Sequence, residues 1–286
     1  MAVAIVTDST SDIEPARAAE LGIAVVPLFV VFGDRSFKDY VELSRAEFYR
    51  KLETDPVLPT TSQPTAAMFE EAFLPAVQAG DEVLCIVISS HLSGTINAAQ
   101  AAAGAVRERF PGAAITVYDS QTAAAGLGML AIRASELAAH GEDAAAIVAE
   151  LDRIRATQRL YACFSDLSHL QRTGRIGKAQ AMIGSLMKIV PVLSLKDGAV
   201  CAEAQVRTFA RATQAMLDLV LQAAGDGPAH FVVVHTNAPP LAQAVAGKLR
   251  ERIGEDGSRS IEMSEAGPVI ATHGGEGAVG VFVARE

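Results

Sequence analysis

Three polar clusters carry the residue types that hold an anion: Thr60-Thr61-Ser62-Gln63-Pro64-Thr65, Ser89-Ser90-His91-Leu92-Ser93-Gly94-Thr95 and His273-Gly274-Gly275-Glu276-Gly277. Each joins or follows an apolar run, so a fold that gathers them brings hydroxyls, backbone N–H groups and one imidazole into a single cleft. In the second cluster, Ser93, Gly94 and Thr95 close an apolar strand and open a helix. Their hydroxyls and free amides then sit at the positive end of a helix dipole, which binds carboxylate or phosphate without a basic side chain. The competing reading is a plain helix cap, since Ser and Thr are favoured there. The first cluster also reads as a turn in which Thr65 caps a helix from Ala66. His273 has a structural alternative too, although its glycine neighbours allow close backbone approach.

Other motifs fail on context. Gly275-Glu276-Gly277-Ala278-Val279-Gly280 matches G-x-G-x-x-G, but a strand follows where a dinucleotide site needs a helix. Gly174-Arg175-Ile176-Gly177-Lys178 lacks the spacing and terminal hydroxyl of a phosphate loop, and neither G-x-S-x-G nor H-E-x-x-H occurs. The stretch from Gln171 to Lys178 places three cations in eight residues of an acidic chain, as a solvated loop or as a contact for an acidic or phosphate-bearing partner. Cys85, Cys163 and Cys201 sit among apolar neighbours without a C-x-x-C pair and read as core residues.

The elements that must position these residues are legible from their periodicity. Val3 to Val6, Ala24 to Val31, Val83 to Ile88 and Ala114 to Tyr118 read as strands separated by helices from about Glu14 to Leu21 and Gly94 to Phe110. Strands apolar on both faces and alternating with helices predict parallel pairing, with the polar loops at the strands' carboxyl ends, where open α/β sheets bind ligands. Beyond residue 157, Val190 to Leu195 and Ala199 to Val206 flank Asp197-Gly198, a hairpin signal. Helices from about Thr208 to Ala224 and Pro240 to Ile253, and strands at Phe231 to Val234 and Ala278 to Ala284, complete a mixed module. The expected architecture is α/β in two domains: residues 1–157 as a three-layer α/β/α domain with a parallel sheet, and residues 158–286 as an α+β domain with a mixed sheet.

Composition limits the partners. A chain of 286 residues with a formal charge of −9 opposes the phosphate attraction behind nucleic-acid binding. The longest uncharged apolar stretch, Leu21 to Phe32, is too short to span a bilayer and contains Pro27, and no basic segment precedes the first strand. A cytoplasmic protein without stable membrane insertion, monomeric and without a metal or other cofactor, is the expectation.

Taken together, the segments Thr7 to Asp12, Thr61 to Thr65, Ser90 to Thr95, Asp119-Ser120-Gln121, Arg172 to Ile176 and His273 to Gly280 resemble the DegV family of bacterial proteins, which includes the fatty-acid-binding subunits of fatty acid kinase. The resemblance implies a long-chain fatty acid buried between the domains, its carboxyl group held by Thr61, Ser93, the Gly94 N–H and His273. Arg172 supports that group from behind, with Ser62 and Thr95 beside it. An ATP-dependent kinase subunit then phosphorylates the carboxylate, so the chain presents substrate rather than performing chemistry, and Arg175 and Lys178 face the kinase.

Two positions depart from the family pattern. Thr173 stands where glycine is usual and would be strained if that backbone needs positive φ. Glu276 stands where proline is usual and would repel an anionic head group unless it turns away or is paired. The acyl chain is expected in an apolar tunnel of roughly 300–1,000 Å³ formed by residues after 157, with the segment Ala181 to Val190 as one wall. A reading from a different class is a serine hydrolase or acyltransferase using Ser93 with His273 as base, for which the sequence offers no orienting acid.

Overall fold

The computed structural model describes residues 1–182, 189–254 and 259–285. The chain divides into two compact units, Met1–Arg153 with Gly267–Val269, and Ile154–Ala266 with Ile270–Glu286. The first unit runs β1 (Val3–Asp8), α1 (Pro15–Glu20), β2 (Ala24–Val26), β3 (Phe29–Phe32), β4 (Arg35–Lys38), α2 (Arg45–Thr54), β5 (Thr60–Ser62), α3 (Ala66–Ala79), β6 (Glu82–Val87), α4 (Thr95–Arg109), β7 (Ile115–Asp119), α5 (Ala125–Ala139) and most of α6 (Ala144–Thr157).

Strands β2-β1-β6-β7 form an all-parallel sheet. Side chains alternate across it. Val6, Val83, Cys85 and Val87 pack against Phe69 and Phe73 of α3 and the alanines of α4. Their neighbours Ile5, Leu84 and Ile86 are also buried, with α5 lying against β1 and β6. The alanine-rich face of α4 lets that helix sit close to the sheet, and the parallel arrangement directs the carboxyl ends of β1 and β6 to the same edge.

The apolar run from Ala24 to Val31 is not one strand. Pro27 has no N–H to give the parallel ladder, and the chain leaves β2 there. The next residue, Leu28, instead donates its N–H to Ser9 Oγ at 3.0 Å. The chain then enters a separate antiparallel sheet of order β4-β3-β5. This small sheet was hidden in the sequence because Thr60-Thr61-Ser62 reads as a turn; pairing with Val30 and its neighbours makes it strand β5. Thr65 does cap α3, accepting from Met68 N at 3.4 Å.

The second unit contains β8 (Arg159–Cys163), α7 (Ser168–Arg172), β9 (Val190–Lys196), β10 (Ala199–Val206), α8 (Phe209–Ala224), β11 (Ala229–His235), α9 (Pro239–Ile253), β12 (Arg259–Glu265), the end of α10 (Pro268–Gly274) and β13 (Val279–Arg285). Its sheet is mixed, of order β10-β9-β8-β13-β11-β12, with β11 and β12 parallel and the other pairs antiparallel. Asp197 and Gly198, both at positive φ, make the expected hairpin turn. Helices α8 and α9 bury Met216, Leu217, Val245 and Leu249 in one core with Phe231, Val233 and Val281. A smaller cluster of Leu170, Ile176, Ala179 and Leu193 joins α7 and its following turn to β9. Of the wall expected from Ala181 to Val190, residues 183–188 lie outside the described residues. No helix among the described residues is long and apolar enough to cross a membrane.

Candidate functional site

Asp8 ends β1 and organises the polar edge of the first unit. Its buried carboxylate accepts from Thr10 N at 2.9 Å and from the Thr10 hydroxyl, while Oδ2 accepts from Ile88 N at 2.8 Å. Burial pushes its pKa up, and these three bonds oppose the shift. The carboxylate thereby ties the end of β1 to the start of the loop after β6.

That loop is built around Ser89. Its carbonyl accepts from both Leu92 N and Ser93 N, at 2.9 and 3.1 Å, and its hydroxyl accepts from His91 N at 3.2 Å. Ser90 N is held by Asp119 Oδ1 at 3.2 Å. The turn delivers Ser93, half-buried, to the head of α4. There its hydroxyl lies 2.9 Å from Thr95 Oγ1 and accepts from Thr95 N at 3.3 Å. Thr95 itself is buried, so it supports Ser93 from below. The capping role and the ligand role are therefore compatible: the cap occupies one side of the Ser93 oxygen, and the helix dipole favours an anion in front of it.

Gly94 is the residue between them, and its lack of a side chain is used. A Cβ there would stand 2.2 Å from Gln63 Oε1. The Thr61–Gln63 segment and the head of α4 are thus neighbours in one unit. Thr61 is half-buried opposite Val30, and Ser62 is exposed with its hydroxyl directed to Gln63 O at 3.4 Å. Sequence reasoning assigned no role to Gln63. Its signal was present in its place between Ser62 and Pro64, but only the fold reveals Gly94 as the residue it meets.

His273 lies in the last turn of α10, directly after the apolar Val269-Ile270-Ala271. Three apolar residues cannot distinguish a short strand from a helical turn. The ring is driven to a pKa of about 3, first by burial and then by the charges of Arg175, Arg172 and His169, so it is neutral at physiological pH. His169 packs against the same turn, with Nδ1 3.3 Å from Thr272 O. Gly275, at φ +69°, passes where a Cβ would meet the His169 ring at 2.9 Å.

The two arginines of this segment differ in exposure. Arg172 is exposed in the last turn of α7, whose buried residue is Leu170. Gly174 then adopts φ +74° and reverses the chain, with Gly174 N donating to Gln171 O and Arg175 N to Leu170 O at 3.0 Å. Arg175 is consequently half-buried, donates to Thr173 O at 2.6 Å, and acts on His273 more strongly than Arg172 does. Lys178 is exposed.

Thr61, Ser93 and Gly94 therefore belong to one unit, and Arg172, Arg175 and His273 to the other. Comparison with known proteins gives this arrangement its setting. A family model for DegV, described as uncharacterised protein, DegV family, matches residues 2–286. The chain belongs to the DegV family. A DegV domain-containing protein from Halalkalibacterium halodurans is 37% identical over 281 residues, covering 98% of this chain and 97% of the relative. Among solved structures, a DegV family protein from Thermus thermophilus, described by its fatty acid binding, superposes with a TM-score of 0.88 at 34% identity and covers 99% of both chains. DegV of Bacillus subtilis, described as a fatty acid binding protein, superposes with a TM-score of 0.89 at 32% identity over the full length of both.

The two departures from the DegV pattern are absorbed locally. Thr173 has φ −87°, an ordinary helical value, because Gly174 takes the left-handed position; its hydroxyl donates to His169 O at 2.7 Å. Glu276 is exposed, and its carboxylate accepts from Asn237 Nδ2 at 2.6 Å. It is paired through an amide rather than a cation.

Proposed function

We propose that this protein binds a long-chain fatty acid, holding the carboxyl group with Thr61, Ser93, the Gly94 N–H and His273, and presents it to an ATP-dependent fatty acid kinase subunit. The observation that carries the reading is the head of α4: a half-buried hydroxyl and a helix N-terminus offered without a basic side chain, in a chain whose relatives from Thermus thermophilus and Bacillus subtilis are described as binding fatty acids. A neutral His273 suits this role, since it can hydrogen-bond a carboxyl group without an ion pair that would resist release.

Energetics favour a lipid. Burying an alkyl chain contributes about 0.8 kcal/mol per methylene, so about 14 methylenes supply on the order of 11 kcal/mol before ordering costs. The polar residues then need only orient the head. The hydrolase alternative receives no support from Ser93, whose hydroxyl bonds Thr95 rather than a general base. Arg175 and the exposed Lys178, on the turn after α7, are the proposed kinase contacts.

Denaturing mass spectrometry of the purified protein tests the lipid reading: a stoichiometric long-chain fatty acid is expected, and a protein that neither carries nor takes up palmitate contradicts it. For presentation, Lys178→Glu should lower acyl-phosphate formation with added kinase while lipid occupancy stays unchanged. Ester turnover by the protein alone would overturn the carrier reading.

A further inference from the structure

Of the segment Thr7 to Asp12, the candidate site uses Asp8 alone. Thr7, Ser9 and Asp12 also bond backbone groups far along the chain. The Thr7 hydroxyl donates to Ile86 O at 2.8 Å, and the Ser9 hydroxyl accepts from Leu28 N at 3.0 Å. Asp12 reaches furthest: its Oδ1 accepts from Gly267 N at 3.0 Å, across 255 residues.

The Asp12 carboxylate is held from several sides. The residue is 6% exposed and closes the 3-10 turn Ser9–Ser11 at φ +55°, in the left-handed region that Asp tolerates better than most residues; its N–H donates to Ser9 O at 3.2 Å. Arg45, at the start of α2, donates to Asp12 O at 3.4 Å and to Tyr40 Oη at 2.8 Å, lies over the Tyr40 ring at 5.2 Å, and also bonds Glu14. Tyr40 in turn directs its hydroxyl to Asp12 Oδ1 at 3.5 Å. Gly267 fits closely into this frame, because a Cβ there would stand 2.5 Å from Tyr40 Oη and 2.8 Å from Asp12 Oδ1. Gly267 is also the residue before Pro268, where α10 begins, so the bond to Asp12 fixes the backbone at the point from which the helix departs. Gly267–Val269 pack with the first unit, whereas the chain on either side belongs to the second. His273 stands in the last turn of the same helix. A helix of seven residues turns as a unit, so a direction fixed at its first residue is passed on to its last.

We propose that Asp12 is a positioning residue for the fatty-acid carboxyl group: by holding Gly267 N it sets the start of α10 and, through that helix, the placement of the His273 ring. The inference rests on the proposed role of His273 as a carboxyl ligand. Asp12 itself touches no ligand and acts only through the helix.

Asp12→Ala removes the acceptor for Gly267 N, and Asp12→Asn keeps one. NMR of the histidine rings in ligand-free, full-length protein should show the His273 signals displaced by Asp12→Ala and close to their wild-type positions in Asp12→Asn, with His140 and His230 unmoved in both. A general loosening of the fold would move His140 as well, because it ends α5, the helix seated on the Ser9–Ser11 turn. Palmitate affinity, read by displacement of a fluorescent fatty acid, should fall about threefold to tenfold in Asp12→Ala, the effect of one hydrogen bond, and be largely restored in Asp12→Asn. In a His273→Ala background, Asp12→Ala should change affinity by less than about twofold, because residues that act through one another are not additive. Gly267→Ala disturbs the same contact from its other side and should also displace the His273 signals, so it decides the matter if the Asp12→Ala chain does not fold. A wild type that binds no palmitate would defeat the carrier reading, and the ring signals would then judge the positioning role by themselves. His273 signals that stay in place in these variants, or affinity losses that multiply in the double variant, would overturn the inference.

Discussion

At the residue scale, Ser93 shows how one hydroxyl serves structure and ligand together. Its oxygen caps Thr95 N and leaves the face in front of α4 available. Ser93→Ala should weaken the fatty-acid complex by about 0.5–1.5 kcal/mol, the worth of a neutral hydrogen bond, as read from displacement of a fluorescent fatty acid; an unchanged affinity would remove Ser93 from the site. Two buried groups carry opposite pH dependences. His273 has a folded pKa of about 3, against about 6.5 in the unfolded chain. As pH falls below about 6.5 the unfolded chain gains a proton that the folded one refuses, and stability declines toward pH 3. Asp12 is raised by burial to about 7, against about 3.9 unfolded, so here the folded chain holds the extra proton and stability declines as pH rises from about 4 to 7. Asp12→Asn keeps an acceptor for Gly267 N and should remove that alkaline loss. The substitution should therefore raise the urea midpoint more at pH 8 than at pH 5 relative to the wild type, and an equal change at the two pH values would contradict the assignment.

At the element scale, close approaches explain several glycines and make them testable. In α5, a Cβ on Gly128 would stand 2.6 Å from Ser11 O, a backbone atom with little freedom to retreat. Helix α5 is thus seated on the 3-10 turn that follows β1 and carries Asp12. Gly128→Ala should destabilise the protein by about 1–3 kcal/mol, as overpacking does, seen as a lower denaturant midpoint with unchanged m-value. Gly94→Ala should behave differently, because the atom in its way is the end of a flexible Gln63 side chain. The fold should tolerate it while lipid affinity falls. After α7, Thr173→Gly restores the usual DegV residue, yet it removes the hydroxyl bond to His169 O and relieves no strain. Thermal unfolding should show a loss of about 0.5–1 kcal/mol, the conformational cost of glycine in a helix-like position.

For the whole molecule, ligand linkage is the most direct test of the proposed function. A ligand bound only by the folded state stabilises by mass action, about 2.7 kcal/mol at a free concentration one hundred times Kd. Delipidated protein should therefore melt at a lower temperature than protein reloaded with palmitate, and Ser93→Ala should reduce the difference. No change in melting temperature on reloading would speak against a bound fatty acid.

The α/β architecture was legible because hydrophobic periodicity is a local property: parallel strands buried on both faces read as apolar runs, as Val83 to Val87 does, and the Asp197-Gly198 hairpin is dictated by its two turn residues. Ser93 at the head of α4 was legible for the same reason, since a strand, a short hydroxyl loop and a helix follow one another along the chain. What depended on partners distant in sequence was not. Pro27 splits an apolar run because Leu28 finds Ser9, Thr61 becomes a strand because Val30 pairs with it, and Gln63 meets Gly94 across about thirty residues. The half-burial of Arg175 beside an exposed Arg172 followed from the left-handed turn at Gly174. Local sequence determines the conformations a segment prefers, whereas burial, desolvation and long-range pairing exist only once the tertiary structure has closed around it.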